Sequence, residues 1–145
     1  MVPRGDPYTS HTFALEIDQI QVACFLEFSG LRSVTEPFEI REGGLNGSTH
    51  LRPGQARFGT VVLRVATQAS NALFEWREQV MHGDLRAHAT DSAAVVMYGP
   101  GGQEVRRFSF TRAWPVRWEG PVLHAGRSDV AVESLELAFE GLRVS

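Results

Sequence analysis

Lysine is absent from this chain of 145 residues, and cysteine occurs once. A single cysteine, Cys24, excludes an internal disulfide, so the sequence favours a reduced compartment or a protein indifferent to redox conditions. No apolar run approaches the roughly 20 residues of a membrane-spanning helix. The N-terminal residues lack the apolar stretch of a secretion signal. We therefore expect a protein made in the cytoplasm, with no membrane anchor and no cleaved signal.

The charged residues are nearly balanced. All 14 basic residues are arginine, they are opposed by 17 acidic residues, and the formal net charge is −3. Nucleic-acid-binding domains usually carry a basic stripe, so this balance argues against sequence-specific nucleic-acid binding. Arginine makes planar, bidentate contacts and is tolerated at interfaces better than lysine is. We expect the arginines to lie on solvated faces and in salt bridges between subunits.

Residue patterns typical of catalysis are also missing. The histidines show no metal-ligand spacing; they are His11, His50, His82, His88 and His124. Cys24 lies in an apolar strand pattern and is predicted to be a small buried hydrophobe. The carboxylates are scattered, so an acid–base pair would have to be assembled by the fold from distant segments. We expect no enzyme, no catalytic residue, no cofactor and no metal site.

Alternation of apolar and polar residues dominates the chain and predicts strands. A hairpin is expected from Phe13 to Phe28, with a break at Asp18-Gln19. The strand at 34–41 places Val34, Phe38 and Ile40 on one face. Because Pro37 cannot donate to a ladder, that strand should lie at an edge or carry a bulge. The remaining strands are expected at residues 58–65, 93–98, 104–110, 113–119 and 129–140.

Glycine-rich residues 99–102 join two of the predicted strands. A phosphate-binding loop requires a helix N-terminus immediately after it, whereas a strand follows here. The segment is therefore predicted to be a hairpin turn.

The last predicted strand has a conflict of register. Val130 and Val132 fall on one face, and the apolar residues of 135–139 fall on the other if the strand is regular. A bulge near Glu133 would bring both sets to one side. Alternatively both faces are buried, one against the domain core and one against a neighbouring molecule.

One helix is expected at about residues 70–82. Ala69, Leu73, Trp76 and Val80 form an apolar stripe at helical spacing. Ser70 or Asn71 is placed to cap the N-terminus, and Gly83 is placed to end the helix.

Residues from about 42 to 56 are rich in glycine and are predicted to be a long loop. A loop of this length in a compact domain is usually functional or disordered. The whole pattern predicts a single domain, residues 1–145, of mainly β class. We expect a small antiparallel β-barrel of two packed sheets with the one helix packed on it.

Two tryptophans lie four residues apart in the segment 114–121, which reads Trp-Pro-Val-Arg-Trp-Glu-Gly-Pro. Proline within the segment does not suit a helix interior, and no catalytic residue type is present. If the strand is regular through Pro115, Trp114, Val116 and Trp118 share one face. The segment is predicted to serve packing, in the core or at an interface.

Several segments, in their order along nearly the whole chain, resemble one family. They are Asp6-Pro7-Tyr8, Phe-x-Leu-Glu-Ile-Asp at 13–18, Phe28-Ser29-Gly30-Leu31, Glu39-Ile40-Arg41-Glu42-Gly43-Gly44, Leu51-Arg52-Pro53-Gly54, Trp76-Arg77, Arg112-Ala113-Trp114-Pro115, Trp118-Glu119-Gly120-Pro121 and Glu133-Ser134-Leu135-Glu136-Leu137-Ala138. In this order they resemble the inner-tube proteins of contractile phage tails and contractile injection systems. Gln19 and residues 45–50 depart from the family pattern.

The resemblance implies a structural subunit rather than an enzyme. Hexameric rings would stack into a hollow tube, which contraction of a surrounding sheath drives through a target envelope. The implied partners are other copies of the chain, the sheath protein, baseplate and tube-terminating proteins, and cargo in the lumen. The protein would be cytoplasmic until it is assembled into a virion tail or an injection particle.

The resemblance also suggests roles for residues. The glycine-rich loop would reach an adjacent ring, because glycine allows close backbone approach. Its candidate interface residues are Gly43, Gly44, Leu45, Asn46, Gly47, Ser48 and Thr49. The family-signature packing residues are Trp76, Trp114, Pro115, Trp118, Glu119, Gly120 and Pro121.

Two alternatives stay open at this stage. A tube-initiating subunit at the baseplate would share these features but occur in few copies. A monomeric β-barrel that encloses a small ligand is suggested by the aromatic content and the number of strands.

Overall fold

The computed structural model describes residues 12–18, 20–25, 27–41, 49–66, 71–83, 92–126 and 131–145, with only the backbone described at 20, 22–24, 41 and 49. The mainly β prediction is confirmed. The strands are β1 (Thr12–Ile17), β2 (Ile20–Phe25), β3 (Glu27–Ser29), β4 (Ser33–Arg41), β5 (Thr49–Phe58), β6 (Val61–Ala66), β7 (Ala93–Tyr98), β8 (Glu104–Thr111), β9 (Trp114–Glu119), β10 (Val132–Ala138) and β11 (Gly141–Val144), with helix α1 (Ala72–His82) between β6 and β7.

The strands form three antiparallel sheets rather than a closed barrel. One sheet has the order β11-β8-β7-β1-β2, the second has the order β3-β6-β10-β9, and β4 pairs with β5 alone. The predicted barrel is therefore corrected to two open sheets and a separate two-stranded ribbon. Both packed sheets end in edge strands in the described part of the chain, so their closure would require strands from elsewhere.

The core lies between the five-stranded and four-stranded sheets. Leu15, Val95 and Phe110 of the first sheet and Leu63 and Leu135 of the second are almost fully buried. Aromatic rings extend this core: the centroids of Phe110 and Phe139 are 4.7 Å apart. Burial of the alternating apolar side chains drives this sandwich together.

The hairpin predicted near the start of the chain is partly confirmed. β1 and β2 form the predicted hairpin, with Asp18 at a φ of 54° in the turn. The second strand of that hairpin does not reach Phe28, because β3 leaves for the other sheet and pairs with β6. The core-facing residue is Phe25, stacked on Phe13 at 5.8 Å between ring centroids. The predicted burial of Cys24 concerns a side chain outside the described residues.

Helix α1 begins and ends close to the predicted bounds. Leu73 and Trp76 are buried as expected. Asn71 occupies the N-cap position but its side chain makes no capping hydrogen bond, so the capping prediction is wrong for this residue; Ser70 and Ala69 lie outside the described residues. Gly83 ends the helix in an extended conformation, with a φ of −119°.

The predicted loop at 42–56 is wrong from Thr49 onward. Residues 49–58 form β5, which pairs with β4 through a register shift between Thr35 and Pro37. Pro53 lies opposite Pro37, and at the bulge two residues of β5, Gly54 and Gln55, lie opposite the single residue Glu36. Proline and glycine are tolerated in such an edge ribbon, which is why composition alone suggested a loop. The strand expected at 58–65 is likewise split, since Phe58 ends β5 and Val61 begins β6.

The second half follows the predictions more closely. Residues 99–102 form the hairpin turn between β7 and β8, closed by a 2.9 Å hydrogen bond from the Gly99 N–H to the Gln103 carbonyl. The final strand predicted at 129–140 corresponds to β10, and β11, which lies beyond the predicted end, was missed and belongs to the other sheet. A bulge near Glu133 is absent, because β10 pairs with β6 without a shift from Val132 to Leu137.

Candidate functional site

The β4–β5 ribbon, which we call the arm, is the feature that the core does not explain. It is anchored at its base by Phe58, whose ring centroid lies 5.6 Å from that of Phe139. Beyond that base, neither strand packs extensively against another element of the described chain. As a result, the apolar residues Val34, Phe38 and Leu51 are 47%, 49% and 65% exposed. Large apolar side chains held out on a ribbon make the arm a candidate interaction surface.

The pairing in the arm determines which side chains share a face. Val34 lies opposite Arg57, Phe38 opposite Arg52, and Ile40 opposite His50. Directly opposed residues of an antiparallel pair project on the same side, so these six residues form one face. Glu36 belongs to it as well, since its carboxylate lies 3.8 Å from the Arg57 guanidinium. This face of the arm therefore combines apolar and basic groups.

The bulge of the arm depends on a glycine. A Cβ added to Gly54 would lie 2.5 Å from the carbonyl oxygen of Glu36. That oxygen belongs to the backbone of the partner strand and cannot swing aside. Only glycine allows the two strands to approach this closely here.

Of the predicted interface residues, the structure describes only Thr49, as the first residue of β5. Gly43, Gly44, Leu45, Asn46, Gly47 and Ser48 lie outside the described residues. In the sequence they connect the two strands of the arm, so their assignment to assembly stays a prediction.

The two tryptophans of the 114–121 segment lie on opposite faces of the four-stranded sheet. Trp118 pairs with Leu135 and Pro115 with Leu137, which are core residues, whereas Trp114 pairs with Ala138. The register shift opposite Glu136 and Leu137 makes Val116 the extra residue. The expected single stripe of Trp114, Val116 and Trp118 is therefore wrong, because the bulge reverses the alternation.

Trp118 and its neighbours pack strand β9 against helix α1. Its ring meets the edge of Phe74 at 4.8 Å between centroids. Arg77 of α1 donates a 3.1 Å hydrogen bond to the Pro115 carbonyl. A Cβ on Gly120 would lie 3.1 Å from the Trp118 ring. In the described part of the chain the buried Nε1 of Trp118 has no hydrogen-bond partner.

The other signature residues take separate positions. Trp76 is buried in α1 and belongs to the core. Glu119 is exposed on the outer face of the four-stranded sheet, 3.4 Å from Arg117. Pro121 follows β9 and is half-buried. The structure thus places Trp76, Pro115, Trp118 and Gly120 around the contact between α1 and β9, and leaves Trp114 and Glu119 on the outer face.

The outer face of the four-stranded sheet carries paired charges. Arg64 lies 3.2 Å from Glu27 on β3, and Arg117 lies 3.5 Å from Glu136 on β10. The Thr60 hydroxyl donates a 2.5 Å hydrogen bond to Glu136. Each arginine faces a carboxylate on an adjacent strand, so the field of this face is largely cancelled. Such exposed pairs contribute little stability, about 0–1 kcal/mol each.

A second charged group spans β1, β7 and β8. Arg107 donates hydrogen bonds of 2.7 Å to Glu16 and 2.6 Å to Glu104. These bonds, that to Glu16 foremost, raise the pKa of Arg107 above its ordinary value despite partial burial. Burial, followed by the negative charge of Glu16, raises the pKa of Tyr98. The Tyr98 phenol is therefore neutral at physiological pH, and the group is a structural clamp across three strands.

The described residues hold no group of histidine, cysteine or carboxylate side chains that could bind a metal ion. His50, His82 and His124 are exposed and separate, while His11 and His88 lie outside the described residues. One inward carboxylate stands out: burial raises the pKa of Glu133, which lies opposite the buried Val65. Within the described part of the chain, no helix is long and apolar enough to cross a bilayer.

A family model described as T4-like virus tail tube protein gp19 matches residues 9–143. This chain belongs to that tail tube family. The resemblance expected from the ordered sequence segments is confirmed. A comparison with curated protein sequences finds no match.

Solved structures of tail tube proteins and related tubes share the fold. A chain in the six-fold symmetrised baseplate of the anti-feeding prophage is 26% identical, with 97% of this chain and 96% of that chain covered and a TM-score of 0.69. A chain in the sheath/tube terminator of the extracellular contractile injection system PVC is 19% identical, with coverages of 100% and 99% and a TM-score of 0.77. Hcp1 of Flavobacterium johnsoniae is 16% identical, with coverages of 92% and 94% and a TM-score of 0.62.

Proposed function

We propose that this chain is a single-domain structural subunit of the inner tube of a contractile phage tail or contractile injection system. Hexameric rings of the subunit would stack into a rigid hollow conduit that sheath contraction drives through a target envelope. The sheath protein, baseplate, tube-terminating proteins and luminal cargo would be its partners. The subunit would be cytoplasmic before assembly and perform no chemistry.

The arm is the observation that carries this proposal for the chain itself. A monomer gains nothing from a ribbon of two strands with exposed apolar side chains, since an isolated hairpin is marginally stable in water. Contact with another subunit would bury those side chains and order the ribbon. Edge strands β9 and β3 of one sheet, and β11 and β2 of the other, are also available for pairing between subunits.

Electron microscopy of negatively stained, purified protein tests the proposal. Rings or tubes are the expected result, and shortening the connection of the arm by deleting residues 45–48 should leave a folded protein that does not stack. A strictly monomeric protein at high concentration, with no tubes on co-expression with its sheath and baseplate, would overturn the proposal. A monomer that also shows a saturable thermal shift with a small molecule would favour a ligand-binding module.

A tube-initiating subunit is a second candidate. The similarity of 26% to a chain in a baseplate structure favours it. Copy number separates the two roles: a main-tube subunit should be among the most abundant proteins of isolated particles, and an initiator should occur in about one or two rings' worth of copies, by symmetry of a six-fold tube.

A further inference from the structure

We propose that the apolar and basic face of the arm docks on the exposed stripe of helix α1 in a second copy of this chain. The inference rests on the proposed tube function and adds which two surfaces meet. A ring made of identical subunits in head-to-tail contact requires two different, complementary surfaces on each copy. The arm supplies one of them, and the described part of the chain offers few candidates for the other.

Helix α1 has an outward stripe besides its buried one. Phe74, Glu78 and Met81 recur at the spacing i, i+4 and i+7 and therefore lie on one side of the helix. Phe74 is 38% exposed although its ring meets Trp118, and Met81 is 48% exposed. The buried contacts of the helix with the packed sheets are made by Leu73 and Trp76. Glu75 and Glu78 are exposed and form no ion pair among the described residues. The stripe is thus apolar and acidic.

The arm face complements this stripe in both properties. Phe38 and Val34 are the apolar side chains, and Arg52 lies directly opposite Phe38. Arg52 has no ion pair within the described chain, whereas Arg57 is near Glu36. A free arginine beside an exposed phenylalanine matches a free carboxylate flanked by Phe74 and Met81. Complementary charge of this kind selects a partner and sets its orientation.

The most exposed apolar pair outside the arm and the helix fits the arm less well. Val122 and Leu123 are exposed after the end of β9. The carboxylate nearest in sequence is Glu119, which already lies 3.4 Å from Arg117. That segment therefore presents no unpaired negative charge for Arg52, and we assign the arm to the helix.

Charge exchange between two separate proteins tests the contact. Arg52→Glu alone sets like charges together in every contact between copies, and so does Glu78→Arg alone. We expect each variant to raise the concentration needed for assembly by about tenfold or more. An equimolar mixture of the two should assemble again, because the acidic arm of the first variant then meets the basic helix of the second, and the unchanged arm meets the unchanged helix. Assembly is measured by light scattering and negative-stain microscopy.

Controls separate this contact from folding and from total charge. Arg106→Glu changes the charge by the same amount on an exposed residue of β8, which lies between two partner strands, and should assemble like the unmodified chain. Circular dichroism should show that every variant is folded, and rescue by mixing excludes a defect internal to one chain. In a Cys24→Ala background, Phe38→Cys and Met81→Cys proteins should form a disulfide-linked dimer only when mixed.

The outcomes distinguish the inference from the function on which it rests. If the unmodified chain forms tubes and the single variants do so equally well, or if mixing restores nothing, the docking assignment is wrong while the tube function stands. If the unmodified chain forms neither rings nor tubes, the proposed function fails and the docking inference fails with it.

Discussion

Two glycines test whether the arm unfolds independently of the body, by which we mean the two packed sheets and helix α1. The same substitution, glycine to alanine, should destabilise the body at one position and only the arm at the other. A Cβ at Gly30 would lie 2.6 Å from the Thr60 carbonyl oxygen, and one at Gly54 would lie 2.5 Å from the Glu36 carbonyl oxygen. The first contact joins the β3 end to the start of β6 in the body. The second lies inside the arm. Both obstacles are backbone atoms, so neither can be relieved by a side-chain rotation.

The expected magnitude differs for two reasons. Gly30 has a φ of +89°, where any other residue costs about 1–2 kcal/mol from conformation alone. Its displaced contact would shift strands that bury Val61 and Leu63, so we expect Gly30→Ala to lose about 2–4 kcal/mol of unfolding free energy in total. Gly54→Ala should distort the ribbon and change the stability of the body by less than about 0.5 kcal/mol, the range of remote surface substitutions.

Urea unfolding followed by tryptophan fluorescence measures the body alone, since Trp76, Trp114 and Trp118 all lie in α1 and β9. Assembly of the same proteins reports on the arm, and Gly54→Ala should be deficient in it. A loss for Gly54→Ala as large as that for Gly30→Ala would show that arm and body unfold as one unit. A loss below about 1 kcal/mol for Gly30→Ala would refute the tight approach at Thr60.

Three further changes examine packing and charge. Trp118→Ala should lower the free energy of unfolding, measured by calorimetry, by about 3 kcal/mol, and Trp114→Ala should lower it clearly less, because only Trp118 faces the core. Equal losses would contradict the bulge at Val116. Burial raises the pKa of Glu133 above 4.5, so the charged carboxylate destabilises the folded protein as pH rises past that value. Glu133→Gln should therefore raise the free energy of unfolding at pH 7, measured by urea titration, and this gain should vanish toward pH 4. No gain at pH 7 would show that the carboxylate is solvated. Glu16→Gln should lower the free energy of unfolding by about 1–3 kcal/mol, because the Glu16 side chain that accepts from Arg107 is only 12% exposed. Glu27→Gln, in the half-exposed pair with Arg64, should lower it by less than about 1 kcal/mol. The reverse order would refute the clamp formed by Glu16 and Arg107.

Alternation predicted most strands but not where one sheet passes into the other. β2 and β3 read as one continuous strand, and β11 lies beyond the end of the strand predicted at 129–140. Between β2 and β3 the break is short and apolar periodicity resumes after it, so the period alone shows no boundary. Partner strands decide the boundary: β2 pairs with β1 and β3 pairs with β6, and these partners belong to different sheets.

The arm shows the same division between what the sequence predicts and what only the structure shows. Val34, Phe38 and Ile40 were predicted to share a face, and they do. The second strand of the arm was missed because Pro53 and Gly54 suggested a loop. The possible signal was Pro37 itself: its expected bulge requires a partner strand, and the residues nearest in sequence that could supply one are those of 49–58.

The sequence by itself determined the class, the helix, the turn at 99–102 and the tail tube family, because periodicity, punctuation and ordered motifs are properties of the chain. Tertiary structure alone decided that Trp118 faces the core and Trp114 the opposite side, that the described strands form two open sheets, and that residues 49–58 extend as an arm. Each of these depends on pairing between residues distant in the sequence. One extra residue at Val116 reverses the side on which a tryptophan lies, and no local pattern encodes the partner strand against which that residue is extra.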